Sequence, residues 1–185
     1  DEAAGILEAD QAVIDAADSV ALGAADTVTE TVANAERLTE RLPDDTNLTL
    51  NIEDTGGAID ATDLALSDVQ DLEVTEAVTV DQAETIQGAG NSGTTTYSIA
   101  DTAANIEGAD SDLLDKAEAV SLNAPETVSG TVSEVGENEL IDRLTEGPAD
   151  ENLTLEIADV ADNIRTADQA LIDAADSVAL TSTET

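Results

Sequence analysis

The chain repeats itself, and that limits its fold more than any other property. Ala9–Leu22 and Ala167–Leu180 differ at one position only, Val13 against Leu171. Asp1–Leu22, Ile99–Leu122 and Ile157–Leu180 are drifted copies of one unit. Repetition at this spacing marks an array in which each unit is too small to bury its own apolar face and relies on its neighbours. Sandwiches and doubly wound sheets do not repeat in this way.

Short alternating triplets give the unit its strand: Val20-Ala21-Leu22, Leu50-Asn51-Ile52, Leu72-Glu73-Val74, Tyr97-Ser98-Ile99, Val120-Ser121-Leu122, Leu155-Glu156-Ile157 and Val178-Ala179-Leu180. Alternation with period two predicts a strand with one buried face. Successive triplets lie 22 to 35 residues apart. Between them the spacing turns helical. Ile106, Ala109, Leu113, Leu114 and Ala117 fall on one helical face, as do Ile6, Ala9, Val13, Ile14 and Ala17, and Ile164, Ala167, Leu171 and Ala174.

Two kinds of repeat alternate. In one, Asp stands two residues after an apolar residue, at Asp54, Asp101 and Asp159, placed to cap the helix that follows. In the other, Thr stands five residues after it, at Thr27, Thr79, Thr127 and Thr185, with Val28, Val80 and Val128 next as a second short strand. Helices then run through Val32, Ala35, Leu38 and Leu42, and through Val132, Val135, Leu140, Ile141 and Leu144. The expected fold is α/β: a repeat solenoid of stacked parallel short strands alternating with amphipathic helices, about 22–35 residues per coil. Coils fall near 1–22, 23–52, 53–74, 75–99, 100–122, 123–157 and 158–185, as one continuous array. Both ends fall inside a repeat, so the chain reads as a window of a longer one.

Composition then narrows the chemistry. Forty-three acidic residues face five basic ones, for a net charge of -38, and there is no His, Cys, Met, Trp or Phe. A compact protein of this mass exposes roughly 8,000 Å². Its acids would sit about 14 Å apart, and each such pair repels by about 0.3 kcal/mol in water. Molar salt cuts the Debye length to about 3 Å and removes most of that cost. A halophilic setting or a supply of cations is the expected environment. Nucleic acid and anionic membranes would be repelled. No apolar run approaches the ~20 residues needed to cross a bilayer, so no membrane insertion is expected.

Carboxylate pairs such as Asp15/Asp18, Asp110/Asp112/Asp115 and Asp173/Asp176 lie on polar helix faces and read as solvated surface. With no His and no nucleophile beside a base, no enzyme is expected and no cofactor is required. Calcium is the candidate cation, because hard oxygen ligands crowd the turns; Asp54, Asp101, Asp159, Asp110 and Asp112 are its candidate ligands. Asn47 and Asn152 open matching Asn-Leu-Thr sequons and are the candidate glycosylation sites. Arg37, Arg41, Arg143 and Arg165 are expected to offset local acid clusters. Tyr97, the only aromatic residue, is expected in the core, and Thr94-Thr95-Thr96 in a strand. Asn91-Ser92-Gly93 and Pro43-Asp44-Asp45 read as turns.

Ser98 to Ile106 reads SIADTAANI, followed by Val120-Ser121-Leu122. This resembles the "DTAANI" repeats of very large bacterial secreted and cell-surface proteins of adhesin type. Asp54–Ile59 and Asp159–Ile164 are degenerate versions. The resemblance implies a structural role outside the cell or on its surface, and it carries over no catalytic residue. The expected function is a structural repeat segment of a fibre, surface layer or adhesin stalk, self-assembling head to tail. Its partners are then copies of itself or neighbouring repeats, together with cations. The alternative is a cation- or glycan-binding module of a surface protein, loaded with calcium.

Overall fold

A computed structural model describes residues 1–43, 45–136, 144 and 151–181. The chain divides into two compact units, Asp1–Ser98 and Ile99–Thr185. Both are mixed α/β, with parallel sheets and helices.

The first unit runs α1 (Ala3–Glu8), α2 (Gln11–Ala16), β1 (Asp26–Glu30), α3 (Val32–Arg41), β2 (Leu48–Asp54), α4 (Gly56–Asp60), a 3-10 turn (Leu66–Asp68), β3 (Val69–Val74), α5 (Val80–Gln87) and β4 (Thr95–Thr96). Its four strands form one sheet in chain order, every pair parallel. The second unit runs β5 (Ile99–Asp101), α6 (Ala103–Gly108), α7 (Ser111–Lys116), β6 (Val120–Leu122), β7 (Glu126–Gly130), α8 (Val132–Gly136), β8 (Leu153–Asp159), α9 (Ala161–Thr166), α10 (Gln169–Ala174) and β9 (Ser177–Leu180). Here β5 pairs with β6, and β7, β8 and β9 form a second sheet, again all parallel. A helix between successive strands carries the chain back to the same end of the sheet, which makes parallel pairing possible.

The register recurs between units. Val28 lies opposite Leu50 and Glu30 opposite Ile52, while Val128 lies opposite Leu155 and Gly130 opposite Ile157. Alternate residues point inward. Leu50, Ile52, Leu155 and Ile157 are buried, and helices supply the facing side chains. In the first unit one cluster joins Ala3, Ile6, Leu22, Leu38 and Leu42. Its counterpart in the second joins Val135, Leu155 and Ile157. Tyr97 is fully buried, as expected, and its hydroxyl donates to Gln87 Oε1 at 3.3 Å.

Four expectations need correction. The long helical stretch is two short helices in each copy, broken at Ala9, Ala109 and Ala167. An Asp follows each break. Asp10, Asp110 and Asp168 accept the N–H two residues on and start a new helix. Val20-Ala21-Leu22 is not a strand, although its counterparts in β6 and β9 are. Tyr97-Ser98 falls between two strands and only Ile99 lies in one. Val80 opens a helix where Val28 and Val128 lie in strands. There Thr79 accepts from the Gln82 N–H and the Gln82 side chain accepts from the Thr79 N–H, a reciprocal box that starts α5. Of the expected helix from Val132 to Leu144, Val132 and Val135 lie on α8 and Leu144 is buried; Leu140 and Ile141 lie outside the described residues, as do Asp44, Arg143 and Thr185.

Candidate functional site

The most recurrent chemical feature is a carboxylate that reaches back to a backbone N–H 22 to 27 residues earlier in the chain. Asp26 accepts from Ala3 at 3.0 Å, Asp54 from Val32 at 3.0 Å and Asp159 from Val132 at 3.0 Å. Glu126 accepts from Ala103 at 3.2 Å. Each of those four donors is the first residue of a helix, α1, α3, α8 or α6. A helix start has free N–H groups and a partial positive charge, so an anion there satisfies a donor and is favoured by the dipole. Asp45 and Asp176 likewise accept the N–H groups of Leu22 and Leu155, each at 2.8 Å, where no helix starts. Helices this short do not hold themselves together in water, so a cap from a later strand also ties their ends to the sheet.

This revises the reading of the acids. Asp54, Asp101 and Asp159 were expected to cap the helix that follows them. Their Oδ1 atoms accept the very next N–H, those of Thr55, Thr102 and Val160, at 2.7 to 2.8 Å. The helix after Asp54 and the helix after Asp101 are capped instead by the hydroxyls of Thr55 and Thr102. The second oxygen of Asp54 and of Asp159 goes to the earlier helix. Asp101 and Asp159 also accept from the amides of Asn105 and Asn163, and both are buried. Asp176 is likewise engaged, and not simply solvated. Asp15 and Asp173 lie exposed and accept only local Gln amides, as the solvated-surface reading expects.

The electrostatics follow from these bonds. The N–H of Leu22, and then that of Asn47, hold the Asp45 carboxyl below the usual range. Asp159 is lowered by the Val160 N–H, with Asn163 and Val132 adding to it against the effect of burial. Glu134 is lowered by the N–H and then the hydroxyl of Thr131. A general acid needs its carboxyl pushed the other way. These groups stay ionised at neutral pH and hold backbone.

The candidate metal ligands are placed as follows. Asp54, Asp101 and Asp159 sit at equivalent strand ends, and Asp110 bonds the N–H of Asp112 at the start of α7. Among the described residues, no group of three or more acidic side chains is arranged to hold a metal ion. Asn47 is exposed at the turn before β2, where its N–H donates to Asp45. The side-chain amide of Asn152 donates to the Leu122 carbonyl at 2.9 Å, so a glycan there would have to displace that bond. The arginines depart from expectation. Arg41 donates to the carbonyls of Ile6, Leu7 and Ala9, and Arg37 to that of Leu7, closing the C-terminal end of α1. Carbonyls at a helix end are short of donors and carry partial negative charge, which attracts guanidinium. Arg165 does pair with an acid, Asp162, at 3.0 Å on the surface.

A groove of about 590 Å³ between α3 and the 3-10 turn is lined by Leu42, Leu48, Leu50, Leu64 and Val69. Asp45 also lines it, already held by two N–H groups. Nothing there pairs a nucleophile with a base.

Sequence reasoning missed Asp26 and Glu126. The signal was present, because both stand four residues after a core leucine, Leu22 or Leu122. Val78 takes that place after Val74, and α4 opens on Gly56, where a Cβ would overlap the Val78 side chain. The acid and Val78 are two answers to one position, and Gly56 is the helix start that makes room for the second.

Among the described residues no helix is long and apolar enough to cross a membrane. No protein-family model, curated protein or solved structure matches the chain.

Proposed function

We propose that this chain is a structural repeat segment of an extracellular fibre, surface layer or adhesin stalk, each unit being a stretch of solenoid coil. The observation that carries the reading is the carboxylate link from one repeat to the helix start of the one before, found in both units with the same strand register. A link of that kind connects neighbours and shapes no cleft. It suits an array whose stability is a sum over adjacent repeats. The DTAANI resemblance supports a place at the cell surface, and the charge of -38 supports a salty one.

Asp101 and Asp159 hold the same position in the repeat, so removing residues 102–159 joins two equivalent strand ends. In molar KCl the shortened chain is expected to keep a cooperative melt and an unchanged far-UV spectrum per residue. An unfolded product would overturn the stacked-repeat reading. Melts of the intact chain test the electrostatics. Molar KCl is expected to raise the midpoint, since it screens the acids. If millimolar CaCl₂ in low salt does so and EDTA reverses it, defined calcium sites replace simple screening.

A further inference from the structure

The groove between α3 and the 3-10 turn comes from a change between two copies of one connection. In the second unit α9 and α10 join β8 to β9, and Leu171 and Ile172 of α10 pack against the cluster of Val135, Leu155 and Ile157. In the first unit, counting on from Ile59 as from Ile164, Leu66 and Ser67 hold those places. The connection is also one residue shorter, because Ile52 pairs with Leu72 where Ile157 pairs with Val178. A 3-10 turn forms at the place of α10, and a groove of about 590 Å³ stays open over Leu42, Leu48, Leu50 and Val69. Small-molecule sites span about 300–1,000 Å³, so the groove is of ligand size.

Past Thr39, Leu64 and Ala65 the groove continues into a hollow of about 420 Å³ rimmed by Glu36, Glu40, Asp63 and Asp68. The Thr62 hydroxyl donates to Glu36 at 2.6 Å and ties the far wall to α3. Glu36 and Glu40 stand one turn apart on that helix, where like charges repel. Arg37 and Arg41 are the only basic side chains of the first unit, and both donate to the carbonyls ending α1. Among the described residues the rim therefore has four carboxylates and no cation. A cleft lined by one sign of charge focuses its field on the space inside.

We propose that this groove binds a linear aliphatic amine, its hydrocarbon chain on the leucine floor and its ammonium group among the rim carboxylates. The two parts of the groove match the two ends of such a molecule in polarity and in charge. A lysine side chain uses an apolar surface in the same way, with its stem along the surface and its head in water. The ammonium supplies the charge that the rim lacks, and the chain covers the leucines that the 3-10 turn leaves open. An anionic amphiphile would fit the floor and be repelled at the rim. A stable protein interface takes about 800 Å² from each partner, whereas this groove is of small-ligand size. Its occupant is independent of the array role proposed above.

The test titrates the intact chain with octylammonium chloride in molar KCl, where diffuse attraction to a charge of -38 is screened. One saturable site per chain is expected. Octanol, which has the chain alone, and tetramethylammonium, which has the charge alone, should bind at least about fivefold more weakly. Ala65→Phe puts a ring into the groove from an exposed position and should abolish binding while the chain melts like the parent. Asp63→Asn with Asp68→Asn should weaken octylammonium about fivefold and leave octanol as it was. Asp15→Asn with Asp173→Asn makes the same change in net charge at exposed acids elsewhere and should leave binding unaltered. No saturable binding, octanol bound as tightly as octylammonium, or equal losses from the two double variants overturns the proposal. Should Ala65→Phe fail to fold, the double variants decide alone. A Lys-Leu-Lys-Leu peptide that binds more tightly than octylammonium, and is lost with Asp63→Asn and Asp68→Asn, overturns the free amine and puts a basic segment of a partner protein in its place.

Discussion

Ala9–Leu22 and Ala167–Leu180 are almost the same sequence in two settings. The first lies under α3, with Leu22 in the core and its N–H held by Asp45. The second ends on β9, with Leu180 mostly in solvent. Both hold the same short helix, with Asp10 and Asp168 starting it in the same way. The helix therefore follows the sequence, whereas burial and the strand at Ser177–Leu180, which has no counterpart at Val20-Ala21-Leu22, follow the neighbour. Such a segment holds its helix through its cap, and its apolar side chains are covered only where another segment packs beside them.

The largest test of that contrast is a matched truncation. Leu22→Ala should cost about 2–5 kcal/mol, because it leaves a cavity under Leu38 and Leu42. Leu180→Ala should change stability by less than about 0.5 kcal/mol. Denaturant midpoints in molar KCl measure both. Equal losses would mean that Leu180 is covered in solution.

Next is the link between repeats. Asp54→Ala leaves the Val32 and Thr55 N–H groups without their carboxylate and should cost about 1–3 kcal/mol. Asp173→Ala removes an exposed acid that bonds only Gln169, and should be neutral or slightly stabilising because it reduces the excess of negative charge. Similar losses at both positions would show that the link contributes nothing beyond ordinary surface charge.

A smaller difference separates two arginines. Arg41→Ala opens the carbonyl end of α1 and should lower stability by about 1 kcal/mol. Arg165→Ala breaks only an exposed pair and should cost less than about 0.5 kcal/mol. Thermal melts of the two variants side by side decide it.

The finest effect is in pH. The folded Asp45 carboxyl titrates below its unfolded value, so its stabilisation is present above about pH 4, the unfolded carboxylate range. It is lost as pH falls through the lower folded value. Asp45→Asn keeps one acceptor oxygen where the carboxylate uses two, for Leu22 and Asn47. Its melting point should lie below that of the parent at pH 7, and the gap should close in acid below the folded pKa. A gap that persists there would show that shape, and not charge, makes the contact.

Much of the architecture was legible in the residues. Alternation at Leu50-Asn51-Ile52 and Leu155-Glu156-Ile157 marked strands, which the structure extends to Leu48–Asp54 and Leu153–Asp159, and the spacing between triplets marked a helix between each pair, hence parallel sheets. Burial of Tyr97 followed from its place in that alternation. These features depend on near neighbours in the chain. The sequence could not say where the Asp54 and Asp159 carboxylates go, since their partners Val32 and Val132 lie 22 and 27 residues away. Nor could it show that Arg41 closes α1, or that Leu22 and Leu180 differ at all. A hydrogen bond between repeats and the cover over an apolar face are set by which segment packs alongside, and only the tertiary structure decides that.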